Sequence, residues 1–422
     1  MDILGLAKKA RKEGAVLNRG KDLTDLCPAC KRNGRIYCPH KPMLAIKAEL
    51  AREFDKQDFF GPSPPNLFVG EYNYPNITWG PAISLAEGIP DNPKYWYGWG
   101  FDAIVRARSM QIRGKAKSTV SAAKIRSPGL GREEKISRML LDAQESSMSS
   151  VPVDLEAHFS KKPNLQIQFY AISQPTGPSA PMEKLKIVDN PKIPGKVDEL
   201  VEEGINASNA IRELTCAGFD EHYLTRLLTC GVLGNKKRRK LVPTKWGITA
   251  IDDMIAKQNM EKIRDFSENS KYLFYQNEYL ANRFSILLLP GAWEYENFEA
   301  WCGSSGRYAI SEEYESYWGR SEYAFSQGGG YYAARFAVCE ALASKIRRQA
   351  RVVVIREIMP EYDLPCGVWV LRQTVREAFR NSAVEFSSFN EMIEYIKPKL
   401  KIPFSKYLSK STILRQRRLS DF

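Results

Sequence analysis

Two kinds of apolar pattern mark the strands of this chain: clean alternation for half-buried strands, and short unbroken runs for fully buried ones. "NLQIQFYAI" (Asn164 to Ile172) alternates and predicts a half-buried strand. "FSILLLP" (Phe284 to Pro290) and "ARVVVIREIM" (Ala350 to Met359) are continuous and of strand length, so they predict buried strands. The stretch from Phe59 to Pro81 is dense in Pro, Gly, Asn and aromatics. Its alternation at Leu67, Val69 and Tyr72 predicts a strand between tight turns.

Helical patterns fall between these strands. A short amphipathic helix is expected over Asp2 to Lys12, and residues 196 to 233 read as helical, with Gly218 and Gly231 as stops. Gly328 to Gly330 form a turn feeding a helix. Another helix is expected to start at Thr249, where Asp252 three residues later resembles a capping box. "FNEMIEYIKPKL" (Phe389 to Leu400) predicts a last helix broken at Pro398, and the chain from Lys401 onward is weakly patterned. Strands and helices mix without strict alternation, which predicts an α+β fold with a mixed α/β sheet core. The expected organisation is an N-terminal module over 1–45, a core over 46–400 with a subdomain break near 175–200, and a flexible basic tail over 401–422.

Composition narrows the class. Hydrophobic content of 43% in 422 residues supports a large folded core, and the net charge of +13 favours polyanionic partners. No apolar run approaches the length of a membrane span. The start "MDILGLAKKARKEG" carries an acidic residue at position 2 and is no secretory signal. Three of the eight cysteines cluster near the start, while Cys216, Cys230, Cys302, Cys339 and Cys366 are scattered in apolar contexts. That usage fits a reducing, cytosolic compartment.

The clustered cysteines have metal-ligand spacing. In "CPACKRNGRIYCPH", Cys27 and Cys30 flank a tight turn, and Cys38 and His40 follow. Three thiolates and an imidazole make the tetrahedral S/N set of structural Zn²⁺. The second half, C-x-H, is shorter than that of a usual zinc finger, so His40 is the less certain ligand; a free CxxC redox pair is the bland alternative.

Other charges lie among apolar residues. The run "KKRRK" ends in Arg238, Arg239 and Lys240, with Lys245 shortly after, beside Trp246. These are phosphate-contact candidates, and an exposed Trp246 could stack on an unpaired base, although a core tryptophan is the preferred expectation. Arg106, Arg108, Arg356 and Arg372 are embedded between apolar residues and must meet anions, since an unpaired buried guanidinium is costly. Glu340, Glu357 and Glu377 could serve as internal partners, or phosphates could; the sequence does not choose. A metal-dependent nuclease needs converging carboxylates, for which Asp252, Asp253 and Glu357 are candidates, with Mg²⁺ or Mn²⁺ as cofactor. No Ser-His-Asp or Cys-His arrangement stands out.

Four collinear stretches carry a resemblance: "SPPNLFVGEYNYPNITWGP", "RRKLVPTKWGITAIDD", "GGGYYAARFAVCEAL" and "VVVIREIMPEYDLPCGVWVLRQTVREA". Together they resemble the Nre family of archaeal DNA repair proteins, of the NreA type, over nearly the whole chain. The resemblance implies archaeal origin, a role in DNA repair and binding to the sliding clamp PCNA; it implies no catalytic residues. The closing "QRRLSDF" places Gln416, Leu419 and Phe422 at i, i+3, i+6, one face of a 3₁₀ turn. This is the geometry of a clamp-binding peptide, although the chain stops after one aromatic where many such motifs carry two. The expected function is a DNA-binding repair factor recruited by PCNA near the nucleoid. The alternative is a metal-dependent nuclease or phosphodiesterase acting on DNA or nucleotides.

Overall fold

A computed structural model describes residues 52–64, 66–85, 92–123, 138–163, 177–303, 306–362 and 365–416. The chain divides into two compact units, Met1–Ile251 with Leu364–Cys366, and Asp252–Asp363 with Gly367–Phe422. The break falls at Ile251, well beyond the 175–200 stretch expected from the sequence. The helix over Glu221–Thr229, which follows that stretch, packs on the strand over Leu67–Val69 in the first unit.

The first unit is built on six strands: β1 (Asp58–Ser63), β2 (Leu67–Val69), β3 (Asn76–Ser84), β4 (Gln111–Thr119), β5 (Val153–Phe159) and β6 (Ser179–Ile187). Their spatial order is β1-β5-β6-β4-β3-β2, with β4 and β6 parallel and every other pair antiparallel. Alternation sets the faces: Leu155, Ala157 and Phe159 of β5 are buried, whereas Glu156 between them is exposed. Helices α1 (Phe101–Ser109) and α2 (Arg138–Met148) lie between strands, and α3 (Gly195–Glu203), α4 (Ala207–Cys216) and α5 (Glu221–Thr229) follow them. The caps explain those last boundaries. Asn206 accepts from the Ser208 amide and Asp220 from the Tyr223 amide, each satisfying an otherwise open helix N–H. Gly218 (φ 90°) and Gly231 (φ 72°) end α4 and α5 in the left-handed region, as the sequence predicts.

Helix α6 (Thr244–Arg264) begins five residues before the predicted start. Thr249 is therefore interior, and its hydroxyl donates to the Lys245 carbonyl instead of capping (3.3 Å).

The second unit holds β7 (Tyr272–Tyr279), β8 (Asn282–Leu289), β9 (Glu294–Cys302), β10 (Tyr308–Glu315), β11 (Arg351–Ile358) and β12 (Val384–Phe386). Their order is β10-β9-β11-β8-β7-β12, and only β9 and β11 run parallel. All eight residues of β11 are buried, as its unbroken apolar run requires of a central strand. Around the sheet are α7 (Gly329–Ala341), α8 (Trp369–Arg380), α9 (Phe389–Ile396) and α10 (Phe404–Leu408). The predicted turn at Gly328–Gly330 holds only for Gly328 (φ 56°), since Gly329 and Gly330 already belong to α7, and the break of α9 before Pro398 holds.

The tail expected from Lys401 needs correction over its first half. Ile402, Phe404, Tyr407, Ile413 and Leu414 sit in one core cluster with Phe298, Val353 and Ile355. Their spacing follows neither a helix nor a strand period, so no sequence pattern announced their burial. The predicted helix 2–12 and strand 164–172 lie outside the described residues. No helix among the described residues is long and apolar enough to cross a membrane.

Candidate nucleic-acid interface

In the first unit, three segments distant in sequence are tied together at one edge of the sheet. The Val120 amide donates to the Pro75 carbonyl (3.0 Å), which joins the exit of β4 to the turn before β3. The Leu241 amide donates to the Val120 carbonyl (2.8 Å), drawing the basic loop onto the same place. The Val69 amide donates to the Thr244 hydroxyl (2.9 Å), so the start of α6 is fixed against β2. Gly231 permits this closeness, because a Cβ there would lie 2.6 Å from the Lys240 carbonyl oxygen.

Aromatic rings and cations emerge where the segments meet. Trp246 on the first turn of α6 is 44% exposed, which corrects the expectation of a core tryptophan. Its position explains the difference, for the helix start lies at the sheet edge with the indole directed over the Glu71–Tyr74 turn. The ring packs against Tyr74 (centroids 5.1 Å, planes at 48°), which is itself 47% exposed. Trp246 Nε1–H donates to Glu71 Oε2 (2.9 Å), and Lys245 Nζ donates to Glu71 Oε1 (3.2 Å). Tyr72, expected to continue the strand alternation, instead stands at 91% exposure in that turn. The signal was available: Asn73 and Pro75 are turn residues, and Asn73 takes a positive φ of 66°. Farther along β2, Phe68 is 40% exposed and carries the Arg113 guanidinium 4.8 Å above its ring.

The predicted phosphate contacts divide sharply. Arg238, Lys240 and Lys245 are exposed at this edge, as is Lys237. Arg239 turns inward, donating to the carbonyls of Gly234 (3.0 Å) and Val201, and burial pushes its guanidinium below the usual arginine range. Arg106 and Arg108 are half-buried on α1, with Arg108 over the Trp96 ring at 5.4 Å.

In the second unit the embedded arginines meet carboxylates of the protein itself. Arg372 donates to both oxygens of Asp252 (2.7 Å each). Arg356 donates to Glu299 (2.6 Å) and to the Asn282 side-chain oxygen (2.9 Å). Arg376 binds Glu340 through two nitrogens (2.6 and 3.0 Å). Arg335, fully buried, bridges Asp253 and Glu315, and the Tyr331 hydroxyl also donates to Glu315 (3.0 Å). Burial raises the Tyr331 hydroxyl well above its ordinary range, which keeps it a donor.

The carboxylates nominated for metal chemistry are thus occupied. Asp252 and Asp253 are engaged by guanidinium groups, with Lys257 also on Asp253 (2.7 Å). Glu357 is buried and accepts from the Lys401 amide (2.8 Å), the Ile402 amide (2.8 Å) and the Tyr407 hydroxyl (3.0 Å). Among the described residues no group of three or more His, Cys, Asp or Glu side chains is arranged to hold a metal ion. Cys27, Cys30, Cys38 and His40 lie outside the described residues, as do Leu419 and Phe422. Gln416 is exposed, directly after the buried Ile413 and Leu414 and the exposed Arg415.

Comparison with known proteins gives the same order of segments a family. Residues 33–306 match the archaeal Nre N-terminal domain, and residues 315–422 match the archaeal Nre C-terminal domain. The chain belongs to the archaeal Nre family. It is 31% identical over 408 residues to the DNA repair protein NreB of Archaeoglobus fulgidus, covering 94% of this chain and 99% of that relative. The DNA repair protein NreA of the same organism is 33% identical over 376 residues, covering 87% of this chain and 92% of the relative. A third relative, the DNA repair protein NreA of Haloferax volcanii, is 29% identical over 373 residues, with coverage of 84% and 86%. No solved structure matches the chain. The two Nre matches are separated by residues 307–314, which include nearly all of β10, within one sheet, so this family boundary does not coincide with the division into compact units.

Proposed function

We propose that this Nre protein is a DNA repair factor that binds DNA through the first unit and is recruited to the PCNA clamp through Gln416, Leu419 and Phe422. The observation that carries the first part is the contrast in how cations are used. Arg335, Arg356 and Arg372 of the second unit are neutralised internally, whereas Lys237, Arg238 and Lys240 are exposed to solvent. Exposed cations of this kind bind phosphates and release counterions, so affinity for DNA falls steeply with salt. The names of the relatives support DNA repair as the setting, with the protein acting at the nucleoid. Structural Zn²⁺ on Cys27, Cys30, Cys38 and His40 belongs to the same proposal, resting on the S₃N donor set that zinc prefers.

Fluorescence anisotropy with labelled DNA across a salt series tests the first part. The triple substitution Lys237→Ser, Arg238→Ser, Lys240→Ser should lower the log–log salt slope by about 2–3, at 0.7–0.9 per lost phosphate contact. Absence of DNA binding at low salt overturns it. For the second part, removal of Gln416–Phe422 should abolish PCNA binding in calorimetry while the body keeps its melting temperature. Unchanged binding refutes the clamp assignment.

A further inference from the structure

The edge of the first unit that carries Trp246 does more than offer positive charge. Three rings, on Tyr72, Tyr74 and Trp246, are exposed within one turn and one helix start, Tyr72 almost wholly so. Duplex DNA presents phosphates and groove edges, and three flat rings add little to its recognition. An unpaired base presents a π-face, and base–aromatic stacking tolerates any sequence.

The hydrogen bonds at the site sharpen this. The indole has one donor, Nε1–H, and Glu71 occupies it at 2.9 Å. Trp246 therefore has no polar group left with which to read a base edge, and what remains to it is its face. The same carboxylate holds Lys245, so Glu71 sets the indole's orientation while its charge is offset by a neighbouring ammonium. The Tyr74 plane is tilted by 48° to the indole, so the two rings do not stack face to face and do not cover one another completely. The loop bearing Arg238 and Lys240 is tied to the same turn through the Leu241–Val120 and Val120–Pro75 backbone bonds, so its end at Leu241 approaches the turn that carries the tyrosines.

We infer that Trp246, Tyr74 and Tyr72 form a stacking platform for the unpaired bases of single-stranded DNA, with the loop around Arg238 and Lys240 on its phosphates. This rests on the DNA-binding function proposed above and specifies the form of DNA that the protein prefers.

The test compares a labelled oligothymidylate with a duplex of equal length, using the full chain. Tyr72→Ala and Trp246→Ala should each weaken single-strand binding by about 5- to 150-fold, the range for loss of one stacked base, and leave duplex binding within twofold. Trp246→Phe should restore most of the loss, because it keeps a ring and discards the Nε1–H. Tyr72 is almost wholly exposed, so its substitution cannot act by unfolding the protein. Unchanged single-strand affinity in the Tyr72→Ala and Trp246→Ala proteins overturns the platform, and so does an equal loss on both DNA forms. Binding of the native protein to duplex alone also overturns it while leaving the DNA-binding proposal standing. Failure to bind either form removes both.

Discussion

The two units treat positive charge in opposite ways. In the second, arginines rise from β11, α7 and α8 into the interior and are met by Asp252, Asp253, Glu299, Glu315 and Glu340. In the first, Lys237, Arg238, Lys240 and Lys245 are exposed, and of these only Lys245 pairs with a carboxylate among the described residues. The same residue types thus serve as internal struts in one place and as an outward field in the other. What decides is the local pattern. A guanidinium between apolar neighbours on a buried element has to find its anion inside the protein, whereas a run of five cations in a loop leaves most of its members to solvent, and only Arg239 of this run is buried, on backbone carbonyls.

The largest expected effect comes from removing an internal strut. Arg335→Met should destabilise the protein by about 3–5 kcal/mol, since Glu315 and Asp253 lose their shared counter-charge and Glu315 is fully buried. Chemical denaturation measures this, and a loss below about 1 kcal/mol would mean that the arginine network is not structural.

A smaller effect should appear at Glu296 of β9. Burial pushes its carboxyl up to about 7, against hydrogen bonds from the Ser411 hydroxyl and the Thr412 amide (2.5 Å) that pull it down. Glu312 of β10 faces it and is likewise raised, by burial and by Glu313, with Lys410 and Arg415 acting in the opposite sense. A carboxyl raised in the folded state favours its protonated form there. Its contribution to stability is complete below the ordinary carboxylate range and is lost as pH rises through 7. Melting temperature should therefore decline across pH 5–7 more steeply in the native protein than in Glu296→Gln, and parallel profiles would contradict this.

The smallest effect belongs to the outward field. The triple serine substitution at Lys237, Arg238 and Lys240 should change stability by no more than about 0.5 kcal/mol by denaturation, because these side chains hold nothing in place. A larger loss would erase the contrast between the units.

Much of the fold was legible in the sequence. The unbroken run of β11 and the glycine stops of α4 and α5 are each dictated by local chemistry and each is present, while of the predicted Gly328–Gly330 turn only Gly328 precedes the helix. The site was half legible. The basic run announced Arg238, Lys240 and Lys245, but it could not separate them from Arg239, whose partners are carbonyls of Val201 and Gly234. Trp246 was misplaced for a related reason. Exposure of an aromatic depends on what lies across from it, and here that is a turn about 170 residues away along the chain. Arg356 and Arg372 required the same non-local knowledge, for Glu299 and Asp252 hold them, whereas Glu340, one of the glutamates proposed from sequence, does hold Arg376.

The segment from Lys401 to Leu414 has a mechanical consequence. It is fastened twice, by Glu357 on β11 and by Glu296 on β9, the two parallel strands near the middle of the second sheet. Tension applied at Gln416 is therefore delivered to two inner strands of the sheet instead of being dissipated in slack chain. A partner gripping the residues beyond that point would hold the second unit by its spine, on a short leash, and would swing the whole unit rather than merely tether it.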